Sequence, residues 1–125
     1  MSSPPIQLGR LQILCVDDSE SKLWVRTKVL EKAGYALLTA TSALKAVYLL
    51  RENAVRLIVS DHMLSGKQGT EFAGKLKKLK PNVPLVAYSS APPEHMQNVD
   101  CFINKDEPAH KFLSIVRDLI MRYSE

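Results

Sequence analysis

Short runs of apolar residues alternate along the chain with longer stretches in which apolar positions recur every three or four residues. Leu11 to Val16 is the first run, and its continuity suits a strand buried on both faces. Ser19 is placed to cap a helix running to about Ala33, with Leu23, Val25, Val29, Leu30 and Ala33 as its inward face. Gly34 ends that helix, as a glycine just past the last turn commonly does. Tyr35 to Ala40 reads as a second strand. Thr41 or Ser42 opens a second helix with Ala43, Ala46, Val47 and Leu50 on one face. Val55 to Ser60 is a third strand that delivers Asp61, and a loop with Gly66 and Gly69 follows. Phe72, Leu76 and Leu79 mark a third helix, closed by Pro81 and Pro84. Leu85 to Tyr88 is a fourth strand ending at Ser89-Ser90. Ala91-Pro92-Pro93 does not continue a strand readily, and Pro93 to Gln97 has room for about one helical turn. Asp100 to Asn104 is a short fifth strand, with Lys105 directly after it. Glu107 to Tyr123 is an amphipathic helix with Phe112, Val116, Leu119 and Tyr123 in register.

Strands alternating with helices over short connections require a parallel sheet covered on both faces. The 125 residues make one domain, taken as residues 11–125. Met1 to Arg10, with Pro4-Pro5 and Gly9, reads as a tail. That stretch lacks the apolar centre of a signal peptide, and no run approaches the roughly 18 apolar residues of a membrane span. The expectation is a cytoplasmic protein with no membrane contact. Cys15 and Cys101 lie in apolar runs and read as buried free thiols. The net charge is +4, but aromatics are only 6%, and the run Lys75 to Lys80 has leucines at helical spacing. It reads as a solvated helix face, so no nucleic-acid contact is expected through this domain. His62, His95 and His110 have no metal-ligand spacing; His62 falls at the rim of the strand-three end, and the other two read as surface.

In an open parallel sheet, ligands sit outside the carboxyl ends of the strands. This chain places Asp17 and Asp18 after strand one, Asp61 after strand three, Ser89 after strand four and Lys105 after strand five. A single Asp or Ser in such a place is more often a helix cap. Five polar residues, each directly following an apolar run, favour a site. Three neighbouring carboxylates repel one another and call for a divalent cation. Oxygen-only ligands suit magnesium, with manganese as a substitute. A carboxylate beside that ion can attack phosphorus in line, while Lys105 holds charge on the phosphoryl oxygens and Ser89 donates a hydrogen bond to one of them.

Val16-Asp17-Asp18, Ile58-Val59-Ser60-Asp61, Pro84 to Ser89 and Phe102-Ile103-Asn104-Lys105 together resemble the response-regulator receiver domain of two-component signalling. The resemblance runs from about Leu11 to Tyr123. It implies a flavodoxin-like, doubly wound, five-stranded parallel α/β sheet of order 2-1-3-4-5. It further implies that Asp61 accepts a phosphoryl group from a sensor histidine kinase or a phosphotransfer protein, and that a downstream protein of unstated identity reads the result. Asp17, Asp18 and Asp61 match the magnesium site, completed by the backbone carbonyl of Met63. Ser89 matches the switch hydroxyl, Lys105 the phosphate-pairing lysine and Phe102 the aromatic that swings inward on activation. Such a domain is a signalling phosphoacceptor that assists its own phosphoryl transfer and dephosphorylation, not an enzyme in the usual sense. A homodimer is compatible with it.

Three positions depart from the family pattern. Asp106 replaces the proline that usually follows the lysine, so a trans bond and a reshaped loop are expected. Leu64-Ser65 replaces Met-Pro in the acceptor loop. Only 16 positions (105 − 89) separate Ser89 from Lys105, so the fourth helix is expected to be a single turn or missing, with the usual output surface altered. These departures motivate an alternative: a phosphorylation-independent pseudo-receiver that works as an interaction module. A haloacid-dehalogenase-type hydrolase also phosphorylates an Asp after a strand, but its Asp-x-Asp motif is absent at both Asp17 and Asp61.

Overall fold

A five-stranded parallel sheet of order β2-β1-β3-β4-β5 carries the chain. The structure, a computed structural model, describes residues 11–61, 66–93 and 96–123, the side chains of 66–68 excepted. The strands are β1 Gln12–Val16, β2 Ala36–Ala40, β3 Val55–Ser60, β4 Leu85–Ser89 and β5 Cys101–Asn104. The helices are α1 Glu20–Lys32, α2 Ala43–Glu52, α3 Gly66–Leu79 and α4 Ala109–Arg122. The parallel sheet is as the residue pattern implied, and the strand order and flavodoxin-like class are as the family resemblance implied. The tail assigned to Met1 to Arg10 lies outside the described residues.

The continuous apolar runs work because side chains alternate between two covered faces. Leu14, Val16 and Ile58 pack with Leu50, Phe72, Leu76 and Leu85 beneath α2 and α3. Ile13, Cys15, Leu57 and Val59 pack with Leu23, Leu30, Ile103, Phe112 and Val116 beneath α1 and α4. β1 lies between β2 and β3 in the sheet, so its strand end is hemmed in from both sides.

Caps fix the helix ends. Ser19 has an extended backbone, and its Oγ accepts from Lys22 N at 3.4 Å. At the other end of α1, Gly34 adopts φ +102°. There Gly34 N donates to Glu31 O at 2.9 Å and Tyr35 N to Leu30 O at 3.3 Å. This paired closure turns the chain into β2 and needs the left-handed backbone that glycine adopts freely.

Four expectations change. α3 begins at Gly66, so Gly69 is a buried helical residue and not part of a loop. α4 starts at Ala109, because Pro108 keeps an extended cap backbone (φ −65°, ψ 157°). Asp100 precedes β5 rather than belonging to it. Its carboxylate accepts from Leu85 N and from Lys77 Nζ, both at 2.8 Å, which pins the start of β5 to the start of β4. Finally, the inward face of α1 holds Leu23, Arg26, Thr27 and Leu30, while Val25 and Ala33 are exposed. A stripe of positions 23, 26, 27 and 30 fits the helical repeat better than the apolar set, and position 26 carries a charge whose partner lies in the site.

Between β4 and β5, residues 90–93 and 96–100 form no helix. Val99 N closes a turn on Met96 O at 3.0 Å around Asn98, which has φ +69°. The shortened connection read from the spacing is therefore present. Among the described residues all peptide bonds are trans, including that from Lys105 to Asp106. No helix of the described residues is long and apolar enough to cross a membrane.

Candidate functional site

Backbone hydrogen bonds carry the sheet ladder one residue past three strand ends, and each of those residues is a predicted site residue. Asp17 N donates to Ala40 O at 3.1 Å, Asp61 N to Val16 O at 3.0 Å and Lys105 N to Ser89 O at 3.0 Å. The site residues thus inherit the rigidity of the sheet while their side chains clear its edge.

Asp17 and Asp61 are both buried, at 0% and 2% exposure. Lys105 Nζ donates to Asp61 Oδ2 at 2.8 Å. On the other side, Asp17 Oδ1 accepts from Ser19 N at 2.9 Å, and Asp17 Oδ2 lies 3.3 Å from Arg26 Nη2. Burial holds the Asp17 carboxyl above the usual carboxylate range, and hydrogen bonding to Asp61 and the Asp61 charge push the same way. The Ser19 N–H and the Arg26 guanidinium act against that rise. Two buried carboxyls thus face each other, with Lys105 against Asp61 and Arg26 against Asp17.

The remaining predicted residues fall around this pair. Asp18 is exposed beside Asp17. Ser89 is half-buried at the end of β4, and its Oγ accepts from Ala91 N at 3.5 Å. Phe102 is half-buried and packs against the core beneath α2 and α3. Met63 and His62 lie outside the described residues, as does His95; His110 is exposed. Cys15 is a buried free thiol, while Cys101 is free and only half-buried.

Among the described residues no three His, Cys, Asp or Glu side chains close around one metal position. Magnesium does not need three: it keeps several waters and is held by one or two carboxylates. The facing Asp17 and Asp61 carboxyls are all-oxygen donors that fit such an ion.

Two participants carried no signal as site residues. Arg26 is 6% exposed and is drawn inward by Asp17. Its guanidinium carbon sits 4.8 Å from the centroid of the Tyr88 ring, and that ring is 5.1 Å from Phe112 on α4. Lys105 Nζ lies 6.0 Å from the same Tyr88 ring. Position 26 on the inward stripe of α1 was the available clue.

The sequence matches the response regulator receiver domain family over residues 13–115. The transcriptional regulatory protein YvrH of Bacillus subtilis is 37% identical over 81 residues, covering 64% of this chain and 30% of that protein. The response regulator SaeR of Staphylococcus aureus is 26% identical over 110 residues, covering 88% of this chain and 47% of SaeR. The chain thus spans less than half the length of these curated relatives. Among solved structures, a CheY-like receiver domain protein from Methanospirillum hungatei superposes with a TM-score of 0.79 at 22% identity, covering 92% of this chain and 97% of that one. The response regulator TrrA of Thermotoga maritima, solved in complex with Mg²⁺-BeF, gives 0.77 at 21% identity, with coverages of 87% and 98%. The strand order and the Asp61–Lys105 pair at the strand ends agree with the sequence match: the chain belongs to the response regulator receiver domain family.

Proposed function

We propose that Asp61 is the phosphoacceptor of a two-component phosphorelay and takes its phosphoryl group from a histidine kinase or a phosphotransfer protein. The observation that carries this is the buried Asp61 carboxylate between the Asp17 carboxyl on one side and the Lys105 ammonium at 2.8 Å on the other. In the transfer, an Asp61 oxygen forms a bond to phosphorus as the bond from phosphorus to the donor's imidazole nitrogen breaks, and the imidazole leaves. Lys105 holds the charge on the phosphoryl oxygens, and Ser89 donates its hydroxyl to one of them. Asp17, Asp18, Asp61 and the Met63 carbonyl would hold a magnesium ion, or manganese in its place, which when bound would neutralise negative charge on the carboxylates and the phosphoryl group. The same residues assist later hydrolysis of the acyl phosphate. Phe102, packed beneath α2 and α3, responds to the altered strand ends and passes the change to a downstream partner, in a cytoplasmic setting.

The pseudo-receiver alternative draws on the missing Lys-Pro and the short β4–β5 connection. The first falls directly after Lys105 and the second joins Ser89 to β5, yet Lys105 still meets Asp61 at 2.8 Å, and no observation of the site favours a phosphate-independent role. A small-molecule phosphodonor with Mg²⁺ should add one phosphate to the chain by mass spectrometry, and Asp61→Asn should add none. An unmodified chain under conditions that label a control receiver overturns the reading.

A further inference from the structure

Arg26 is held by few acceptors for a buried cation. Its Nη2 reaches Asp17 Oδ2 at 3.3 Å, while its Nε and Nη1 are buried with no hydrogen-bond partner among the described residues. A guanidinium buried to 6% exposure ordinarily needs several acceptors, because each unpaired buried N–H keeps its full desolvation cost. Here one carboxylate oxygen and the face of Tyr88, at 4.8 Å, are its recorded partners. That carboxylate belongs to a residue assigned above to the metal.

We propose that Arg26 is a resident counter-ion of the acidic pocket that competes with Mg²⁺ for Asp17 and thereby sets the metal affinity of the domain. It acts through Asp17 and is a positioning residue. The inference rests on the reading of Asp17 as a metal ligand. A divalent ion arriving at Asp17 meets a fixed positive charge that its own binding has to displace, which is an electrostatic penalty absent from a pocket closed by a neutral side chain. Displacement has somewhere to go. Arg26 lines a cleft of about 510 Å³ between α1 and α4, shared with Val25, Val29, Tyr88, Lys105 and Phe112. Its guanidinium leaves Asp17 along that cleft, and the Tyr88 ring moves with it. Tyr88 touches Phe112, so metal occupancy reaches α4 through Arg26, Tyr88 and Phe112, on the sheet face opposite Phe102.

The test is calorimetric titration of the whole 125-residue chain with MgCl2. Arg26→Gln removes the charge but keeps a donor for Asp17, and it should bind Mg²⁺ at least about tenfold more tightly than the unsubstituted chain. Arg26→Lys keeps the charge and should stay within about threefold of it. Loss of a merely structural support weakens binding, so the direction of the change separates the two roles. Equal or weaker binding by Arg26→Gln overturns the proposal and leaves the metal reading standing. Absence of Mg²⁺ binding in both chains overturns the two together. Should Arg26→Gln not fold, the unsubstituted chain decides by NMR. Saturating Mg²⁺ should shift the Tyr88 and Phe112 ring resonances, and Asp17→Asn should abolish the shift; a Tyr88 ring unmoved at saturation overturns the proposal.

Discussion

Lys105 Nζ and Asp61 Oδ2, 44 residues apart in sequence, are joined at 2.8 Å across the ends of β5 and β3. The Asp61 side chain is almost fully buried and that of Lys105 is 27% exposed. Removing one partner leaves a buried carboxylate facing Asp17 with one cation fewer. Lys105→Met should therefore lower the stability of the metal-free chain by about 2–3 kcal/mol, at or below the bottom of the range for breaking a fully buried pair, because the lysine is partly solvated. Urea unfolding in EDTA measures this. Mg²⁺ should restore part of the loss, since a ligand that binds only the folded state raises its stability. An unchanged midpoint in EDTA would show that the pair does not support the fold.

Gly34 sits at φ +102°, and a methyl group added there meets nothing within 4 Å. The cost of Gly34→Ala is thus conformational and not steric, about 1–2 kcal/mol. Thermal unfolding should show a fall of several degrees with the same cooperativity. A larger loss would mean that the turn into β2 carries more than backbone strain.

Asp100 binds Leu85 N and Lys77 Nζ at the opposite edge of the sheet from the site, and its second oxygen lies 3.4 Å from Tyr123 Oη. With no helix between β4 and β5 among the described residues, this carboxylate fastens the two strand starts. Asp100→Ala should cost about 1–3 kcal/mol by leaving the Leu85 N–H unpaired. Hydrogen exchange should show faster exchange confined to β4, β5 and the end of α4. Uniform loss of protection through β1 and β3 would contradict this local role.

Burial pushes the Cys15 thiol up to about 12, against a lowering by Arg26. At pH 8 the thiolate fraction is then on the order of one in ten thousand, and the sulfur is also shielded by core side chains. Iodoacetamide should modify Cys101, which is half-buried, well before Cys15, and Cys15 should react only in denaturant. Equal labelling of both in the folded chain would contradict the packing of β1.

Much of this was legible in the chain itself. The apolar runs from Leu11 and Val55 became β1 and β3 because both faces of the sheet are covered, and the polar residues after each run stand at the strand ends. Arg26 was not legible, because a charge on an otherwise apolar stripe reads as an interruption until Asp17 is placed beside it. Asp100 reads as part of β5, because nothing in the sequence shows that its carboxylate takes the Leu85 N–H and Lys77 in place of a strand position. Gly69 reads locally as a loop residue, and the core beneath α3 overrides that local preference. The sixteen-position gap from Ser89 to Lys105 pointed to a single helical turn or none, since chain length limits what fits there, and the described residues between β4 and β5 form no helix.

The identity of the phosphoacceptor is tested most directly by reductive trapping. The chain is treated with a small phosphodonor and Mg²⁺, the acyl phosphate is reduced with borohydride, and the modified residue is mapped by peptide mass spectrometry. The expected result is a single modified site, Asp61, which disappears when EDTA replaces Mg²⁺ and in Asp61→Asn. Modification at another carboxylate, or none under conditions that label a control receiver, would contradict the account.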